Sequence, residues 1–278
     1  MRAGVVAALL LIAAPAAAQP SEPAHVGIAV AAEHADLTYH FTNPSSFDAG
    51  PLVPHFFEQR YTLDNLWPTI DARYGAAGIR WTTTGGIAVP RDLPAEDFDT
   101  FFNSDGSVVV SGTTGDARIT SLRVSQTGDV ARAGRVSIAA GYRLRVDRAD
   151  FGTGHKTVTR NGALVDTSEI STREHTASQV HEFLAAASAS GVLRDGWRID
   201  VGGDVSPLTV ARLLVQLPDK YPSQDLTFAA KAIAASARLR IGHGRLFATI
   251  AGGAIWGYGD DDTVAERRAT ISIGFIVR

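Results

Sequence analysis

A chain of 278 residues with a net charge of −3, its Lys, Arg, Asp and Glu interspersed, offers no basic stripe for nucleic acid, so no nucleic-acid partner is expected. It has no cysteine, which excludes both a disulfide-stapled domain and a thiolate metal site. Beyond the N-terminal segment no run approaches the ~20 apolar residues of a membrane helix, so any membrane span must be built from strands.

The chain opens on Arg2, an apolar run from Gly4 to Ala14, then Pro15 and Ala16-Ala17-Ala18 before Gln19. Charge, a short apolar core and a small-residue cleavage site, in that order, predict a secretory signal peptide over residues 1–18. Residues 19–278 are then expected to form one all-β unit.

Successive side chains of a strand point to opposite faces, so period-two alternation marks strands. It predicts them at about 25–42, 55–74, 79–90, 116–131, 135–152, 174–192, 196–211, 225–241, 245–258 and 265–278. In the third, Ile79, Trp81, Ile87 and Val89 oppose Arg80, Thr82 and Thr84; in the fifth, Val136, Ile138, Tyr142, Leu144 and Val146 oppose Arg135, Arg143, Arg145 and Asp147. The seventh sets Trp197, Ile199, Val201 and Val205 against Arg198, Asp200 and Asp204, and the last sets Ile271, Ile273, Phe275 and Val277 against Thr270, Ser272 and Gly274. Around 27–41 and 226–241 the phase slips, which predicts a bulge.

Tight turns at Gly75–Gly78, Arg132–Arg135, Arg194–Gly196 and Gly242–Gly244 alternate with longer polar stretches at 43–54, 91–115, 153–173, 213–225 and 259–264. Short periplasmic turns and longer extracellular loops characterise outer-membrane barrels. The expected fold is therefore a closed antiparallel transmembrane β-barrel of about ten strands, in the outer membrane of a Gram-negative cell, with both termini periplasmic. Several strands exceed the ~9–11 residues needed to cross, so the barrel is expected to project beyond the outer leaflet.

Tyr74, Trp81 and Trp197 flank predicted short turns, while Trp256 and Tyr258 precede a long loop, as aromatic girdles at the two membrane interfaces require. Arg143, Arg145, Asp147, Arg198, Asp200 and Asp204 fall on the face opposite the aliphatic one and are expected to line the lumen. Polar-inside, apolar-outside patterning separates this reading from a soluble barrel with an apolar interior. Ten strands enclose a lumen far narrower than that of a 16–18-stranded porin, so these charges are expected to pair and largely plug it.

The eight histidines, at 25, 34, 40, 55, 155, 175, 181 and 243, have no metal-binding spacing. Asp260, Asp261 and Asp262 in the last long loop are the candidates for a divalent cation shared with lipopolysaccharide phosphates, against the plainer reading of a solvated acidic loop. Asn103-Ser104-Asp105-Gly106 is a turn signal, and Arg160-Asn161-Gly162 predicts the turn of a protruding hairpin. No cofactor motif is present; Gly152–Thr157 lacks the spacing and the helix of a phosphate loop.

The final segment, Ser272-Ile273-Gly274-Phe275-Ile276-Val277-Arg278, resembles the C-terminal strand by which the barrel assembly machinery recognises outer-membrane proteins, except that those usually end on an aromatic residue. The arrangement of ten strands, five long loops and four short turns resembles the omptin family of surface proteases. Omptins carry an Asp-x-Asp pair in the second outer loop, where this chain has Asp97-Phe98-Asp99. They also carry an Asp-x-His pair in the fourth, where residues 212–225, RLLVQLPDKYPSQD, hold no histidine. The expected function is therefore a non-enzymatic envelope role, by structural support, loop-mediated binding or a narrow channel, in contact with outer-membrane lipid and lipopolysaccharide. The alternative that the resemblance implies is a surface hydrolase using Asp97 and Asp99.

Overall fold

The computed structural model describes residues 24–42, 55–219, 225–258 and 262–277; the predicted signal peptide, Asp260, Asp261 and Arg278 lie outside them. Eleven strands follow one another: β1 (His25–Thr42), β2 (Phe56–Ala76), β3 (Ile79–Ile87), β4 (Arg91–Phe102), β5 (Val108–Ala133), β6 (Val136–Arg160), β7 (Ala163–Val192), β8 (Trp197–Gln216), β9 (Asp225–His243), β10 (Leu246–Gly257) and β11 (Thr263–Val277). Each is antiparallel to its neighbours, and β1 pairs with both β2 and β11, which closes the sheet.

The ring has ten places because β3 and β4 share one of them. β2 and β5 pair with β3 near the turns and with β4 farther up. The interruption falls at Ala88–Pro90, where Pro90 has no N–H to give the ladder. Ala88 N–H still donates to Ser121 of β5 and Val89 N–H to Leu66 of β2, so the wall stays closed across the break.

Two predicted loops are mostly sheet. The stretch 91–115 forms β4, a tight turn and the upper part of β5, so Asp97 and Asp99 lie on a strand and not on a loop. Likewise 153–173 is the rising hairpin of β6 and β7, turned by Asn161 and Gly162, both with positive φ (49° and 81°) as a two-residue turn of right-handed strands requires. Polar alternation in these stretches resembles loop composition because both faces of the sheet there meet water. The short connections lie where expected, the first turning on Ala77 and Gly78 at φ 53° and 76°.

The phase slips in β1 and β9 are not bulges. Both strands pair without interruption with the neighbours β2, β11 and β10. In β1 the inward residues are Gly27, Ala29, Ala31, Glu33, Ala35, Leu37, Tyr39 and Phe41, a single unbroken phase. What changes is the medium outside. Near the turns Val26, Ile28 and Val30 face outward and the inward side is small or charged; farther up His34 and Asp36 face outward, and Leu37, Tyr39 and Phe41 fill the inside. In β9, Leu239 and Ile241 face outward near the turns, while Leu226 and Phe228 face inward at the other end. Real bulges occur elsewhere, as at Pro207-Leu208 of β8, where the inward phase passes from Asp204 and Ser206 to Thr209 and Ala211.

The barrel therefore has an apolar belt around its turn-end half and a charged outer wall above it. Ile273 of the belt is 69 % exposed, whereas Tyr39 inside the upper barrel is 1 % exposed. A belt substitution and a wall substitution should separate the two media. Ile250→Arg, in mid-belt, is expected to cost about 2–4 kcal/mol, and Thr227→Arg on the upper wall of β9 less than about 0.5 kcal/mol, in urea unfolding from lipid vesicles.

Candidate functional site

The lumen is organised in three levels. At the loop end β4 carries Asp97 and Asp99 on the inward phase set by Leu93 and Ala95. Asp97 stands between Gln59 of β2 and Thr113 of β5, and Asp99 between Phe57 and Ser111. Gln59 donates its side-chain amide to Glu174 of β7 and accepts from the Tyr61 hydroxyl at 3.1 Å, while Thr176 donates to Glu174 at 3.4 Å. The mouth is otherwise apolar: Phe41 stacks on Phe228 at 4.5 Å between ring centroids, and Leu37, Tyr39, Ile119 and Leu213 are almost wholly buried beside them.

Toward the turns comes a layer of ion pairs that spans the lumen. Arg145 of β6 reaches Asp147 at 2.7 Å and Glu266 of β11, which also holds Arg268 at 3.1 Å. Arg143 binds Glu182 of β7 and Asp204 of β8, each at 2.9 Å, and Ser236 of β9 donates to the same Asp204 at 2.6 Å. Arg123 of β5 grips Glu33 of β1 through two nitrogens at 2.8 and 3.2 Å. Such bidentate guanidinium–carboxylate contacts are the strong kind of charge pairing. They tie strands on opposite sides of the ring together.

The third level is an open vestibule at the turn end, about 820 Å³ in volume. Arg198 and Asp200 of β8 line it, along with Arg73, Arg132, Arg135, Arg238 and Arg245. A side pocket of about 230 Å³ adjoins it, sharing Arg73, Arg123, Arg238 and Asp200 and bordered by Trp67 and Phe247. Arg123 lies over the Trp67 ring and Arg240 over Phe247, at 4.9 and 3.6 Å, so arginine planes cover both of these aromatic faces.

No protein-family model and no curated protein sequence matches the chain. Among solved structures, the outer-membrane protease OmpT from Escherichia coli aligns over 93% of this chain and 98% of its own, with a TM-score of 0.64 and 8% identity. This chain has the omptin fold. The Yersinia pestis attachment invasion locus protein Ail and the β domain of the Bordetella autotransporter BrkA align over 91% of this chain and over 97% and 100% of their own, at 8% and 11% identity, with TM-scores of 0.28 and 0.33.

Asp97 and Asp99 stand on the inward phase of β4 at the loop-end mouth. The histidines stand elsewhere. His34, His40, His155 and His175 pair on the outer wall with Asp64, Glu58, Glu169 and Asp150, and His181 meets the Tyr142 hydroxyl there at 2.5 Å. His25 and His243 sit at the turn end, and His55 on the rim accepts the amide of Phe102. The acids that share the mouth with Asp97 and Asp99 thus have Gln59, Tyr61 and Glu174 around them in place of an imidazole.

Of the other residues singled out in the sequence, Arg143, Arg145, Asp147 and Asp204 belong to the central ion-pair layer, and Arg198 and Asp200 to the vestibule. On the outer wall Trp197, Trp256 and Tyr258 are about half exposed, and Tyr74 faces Trp81 across the first turn. Asp262 is spent on β1, accepting from the Thr42 amide and hydroxyl at 3.0 and 3.3 Å. Among the described residues no three acids or histidines are grouped closely enough to hold a metal.

Sequence reasoning missed Glu33, Arg123, Glu182, Glu266 and Arg268, more than half of the charged residues of the ion-pair layer. Their inward phase was readable, but which charges meet across the lumen is not a local property. Removing one partner of such a pair strands a buried charge. Glu266→Gln, which takes the acid from Arg268 and leaves Arg145 only Asp147, is expected to lower stability by about 3–5 kcal/mol in urea unfolding from vesicles.

Proposed function

We propose that this chain is a non-conducting, non-enzymatic outer-membrane barrel that anchors in the bilayer by its apolar belt and works through what it projects above it. Its termini and short turns face the periplasm and its tall hairpins face outward. The observation that carries this reading is the burial of the lumen's own lining. Tyr39, Phe41, Ile119, Leu213, Ile255 and Val264 all point inward and all are at most 2 % exposed, which a water-filled pore through the same level would not permit. Beneath them the ion pairs of Arg145, Glu266 and Asp147 occupy the axis.

What projects is a sheet. β7 pairs with β6 from Ala163 onward but meets β8 only from His175, so its first twelve residues rise beyond the β8 wall, roughly 40 Å along the strand at 3.3 Å per residue. Leu164 and Val165 lie exposed beside the tip, and a register shift there turns both toward solvent. Arg60, Arg118, Arg148, Arg212 and Lys231 stud the outer wall above the belt, at the level where lipopolysaccharide phosphates are expected, with acids between them. The outward apolar row of β11, Ile271, Ile273, Phe275 and Val277, is the surface offered to the assembly machinery.

Purified protein in planar bilayers is expected to give no conductance steps; reproducible steps that vanish on heat denaturation would overturn the sealed-lumen reading. A second reading, an omptin-like hydrolase, is favoured by the shared inward phase of Asp97 and Asp99 at the mouth together with Glu174. A carboxylate set without a neighbouring base of near-neutral pKa activates water poorly. Asp97→Asn combined with Asp99→Asn is therefore expected to change no peptide-hydrolysis rate of the reconstituted protein. A measurable rate that falls by about two orders of magnitude or more in the double variant would establish the enzyme instead.

A further inference from the structure

The projecting sheet ends on an open edge. Its strands lie side by side as β4, β5, β6 and β7, and β7 is the outermost, because β8 begins to pair with it only at His175 opposite Gln216. Between the register shifts that bracket them, residues 166–171 run in unbroken register with β6, from Val158 opposite Asp166 to Thr153 opposite Ser171. In an antiparallel ladder each residue turns its N–H and C=O together to one neighbour or the other, alternately, so about half of this run offers both groups to the β8 side. Among the described residues no strand and no hydrogen bond takes them there. The wall resumes at Arg173, whose amide donates to Asp219 at 2.8 Å and whose guanidinium holds the same carboxylate at 2.7 Å.

An open edge is a template for another strand, and proteins commonly blunt theirs with Pro, Lys or a covering element. Residues 163–171, ALVDTSEIS, contain no Pro, Lys or Arg. Two acids stand on this run, and they differ. Glu169 already meets His155 of β6 at 2.9 Å. Asp166, on the other face and opposite Val158, has no ion pair or side-chain hydrogen bond among the described residues, and Lys156 of β6, on that same face, stands opposite Ser168. Opposite charges across a strand pair stabilise it, and like charges directly opposed weaken it. A second copy of the same edge brings acids and no base, so it leaves Asp166 unmatched. A strand carrying Lys or Arg opposite Asp166 completes a pair that β6 does not supply. Four residues along on the same face lies Ile170, and at the tip Leu164 and Val165 are 64 % and 58 % exposed, so apolar surface flanks the acid on both sides.

We propose that the β7 edge receives an extended segment of a partner protein as an added strand, with a basic side chain opposite Asp166 and a β-branched apolar one opposite Ile170. The inference rests on the reading that this chain works through what it projects. The run from 166 to 171 spans roughly 20 Å, the length of an ordinary strand. In such strand addition the main-chain hydrogen bonds supply affinity and alternate side chains supply selection. Behind the edge, β4, β5 and β6 are paired in turn, which holds it extended before the partner arrives.

Because the chain has no cysteine, a single introduced thiol reports the contact by disulfide capture. Full chain carrying Ser171→Cys, folded in detergent, is equilibrated under thiol–disulfide exchange with the peptide CVTVTK. In antiparallel register this peptide sets its cysteine opposite residue 171, its first valine opposite Ile170 and its lysine opposite Asp166. Saturable capture is expected, about fivefold greater than that of CVTVTE, and adding Asp166→Lys should reverse the preference. N-methylation of one alternate set of peptide amides should abolish capture and that of the other set should spare it, as pairing along a single edge requires. Both chain variants should keep the heat-modifiable gel migration of a folded barrel. Capture no greater than at Thr227→Cys on the outer wall, equal for the two peptides, unchanged by Asp166→Lys, or equally sensitive to both methylated sets overturns the proposal. A dimer in detergent sedimentation that Thr167→Cys locks by a disulfide also overturns it and assigns the edge to a second copy of the chain. Failure of capture leaves the sealed lumen in place, whereas conductance steps would remove the sealed lumen and leave capture unchanged.

Discussion

Everything in this molecule rests on the pairing of its first strand with its last. β1 and β11 are in register from Val26 opposite Val277 to His40 opposite Thr263. In hydrocarbon an unpaired backbone amide has no water to turn to, so a sheet that crosses a bilayer must leave no edge. Closure then forces a second condition: every strand has one inside and one outside for its whole length. The long strands of this barrel pass through two outer media, and the chain meets both without changing register by exchanging which side carries its apolar residues. Lipid takes the aliphatic row of the turn-end half; above it, water takes the charged row, and the aliphatic and aromatic residues move inside.

That exchange decides what the lumen can be. Within the belt, the inside must be polar or small, and it is filled by arginines and acids that reach across the ring, Arg145 to Glu266 and Arg123 to Glu33. Above the belt the inside becomes an ordinary apolar core, with Phe41 stacked on Phe228. Among the described residues the two fillings occupy the middle of the barrel, and polar space lies at its ends. One end holds Asp97, Asp99 and Glu174 among apolar neighbours; the other holds the arginine-lined vestibule. Under the sealed-lumen proposal, recognition takes place at those ends or on the projecting sheet.

The omptin fold sharpens the contrast with a protease of that shape. A shared ring does not carry chemistry by itself, because function resides in the side chains grafted on a fold. Here four of the eight histidines pair with acids on the outer wall, and the loop-end acids are set among an amide, a phenol and another carboxylate. The same fold with a different set of mouth residues is a scaffold whose activity must be read from its own contacts.

Much of this was legible in the amino-acid sequence. Period-two alternation and the alternation of short and long connections determined the strand class, the ten places of the ring, the apolar row of β11 and the inward row of Arg143, Arg145 and Asp147, because those depend only on a strand's own pleat. Asn161-Gly162 declared its turn for the same local reason. The tertiary structure alone decided three things. It showed that Asp97 and Asp99 stand on a strand, because a sheet wetted on both faces loses the one-sided pattern that reveals a strand. It showed that the phase slips of β1 and β9 are a change of surroundings at constant register, which no single strand can report. And it decided which charges meet, Glu266 with Arg145 and Glu33 with Arg123, because partners across a closed ring are distant in the chain and are brought together only when the last strand reaches the first.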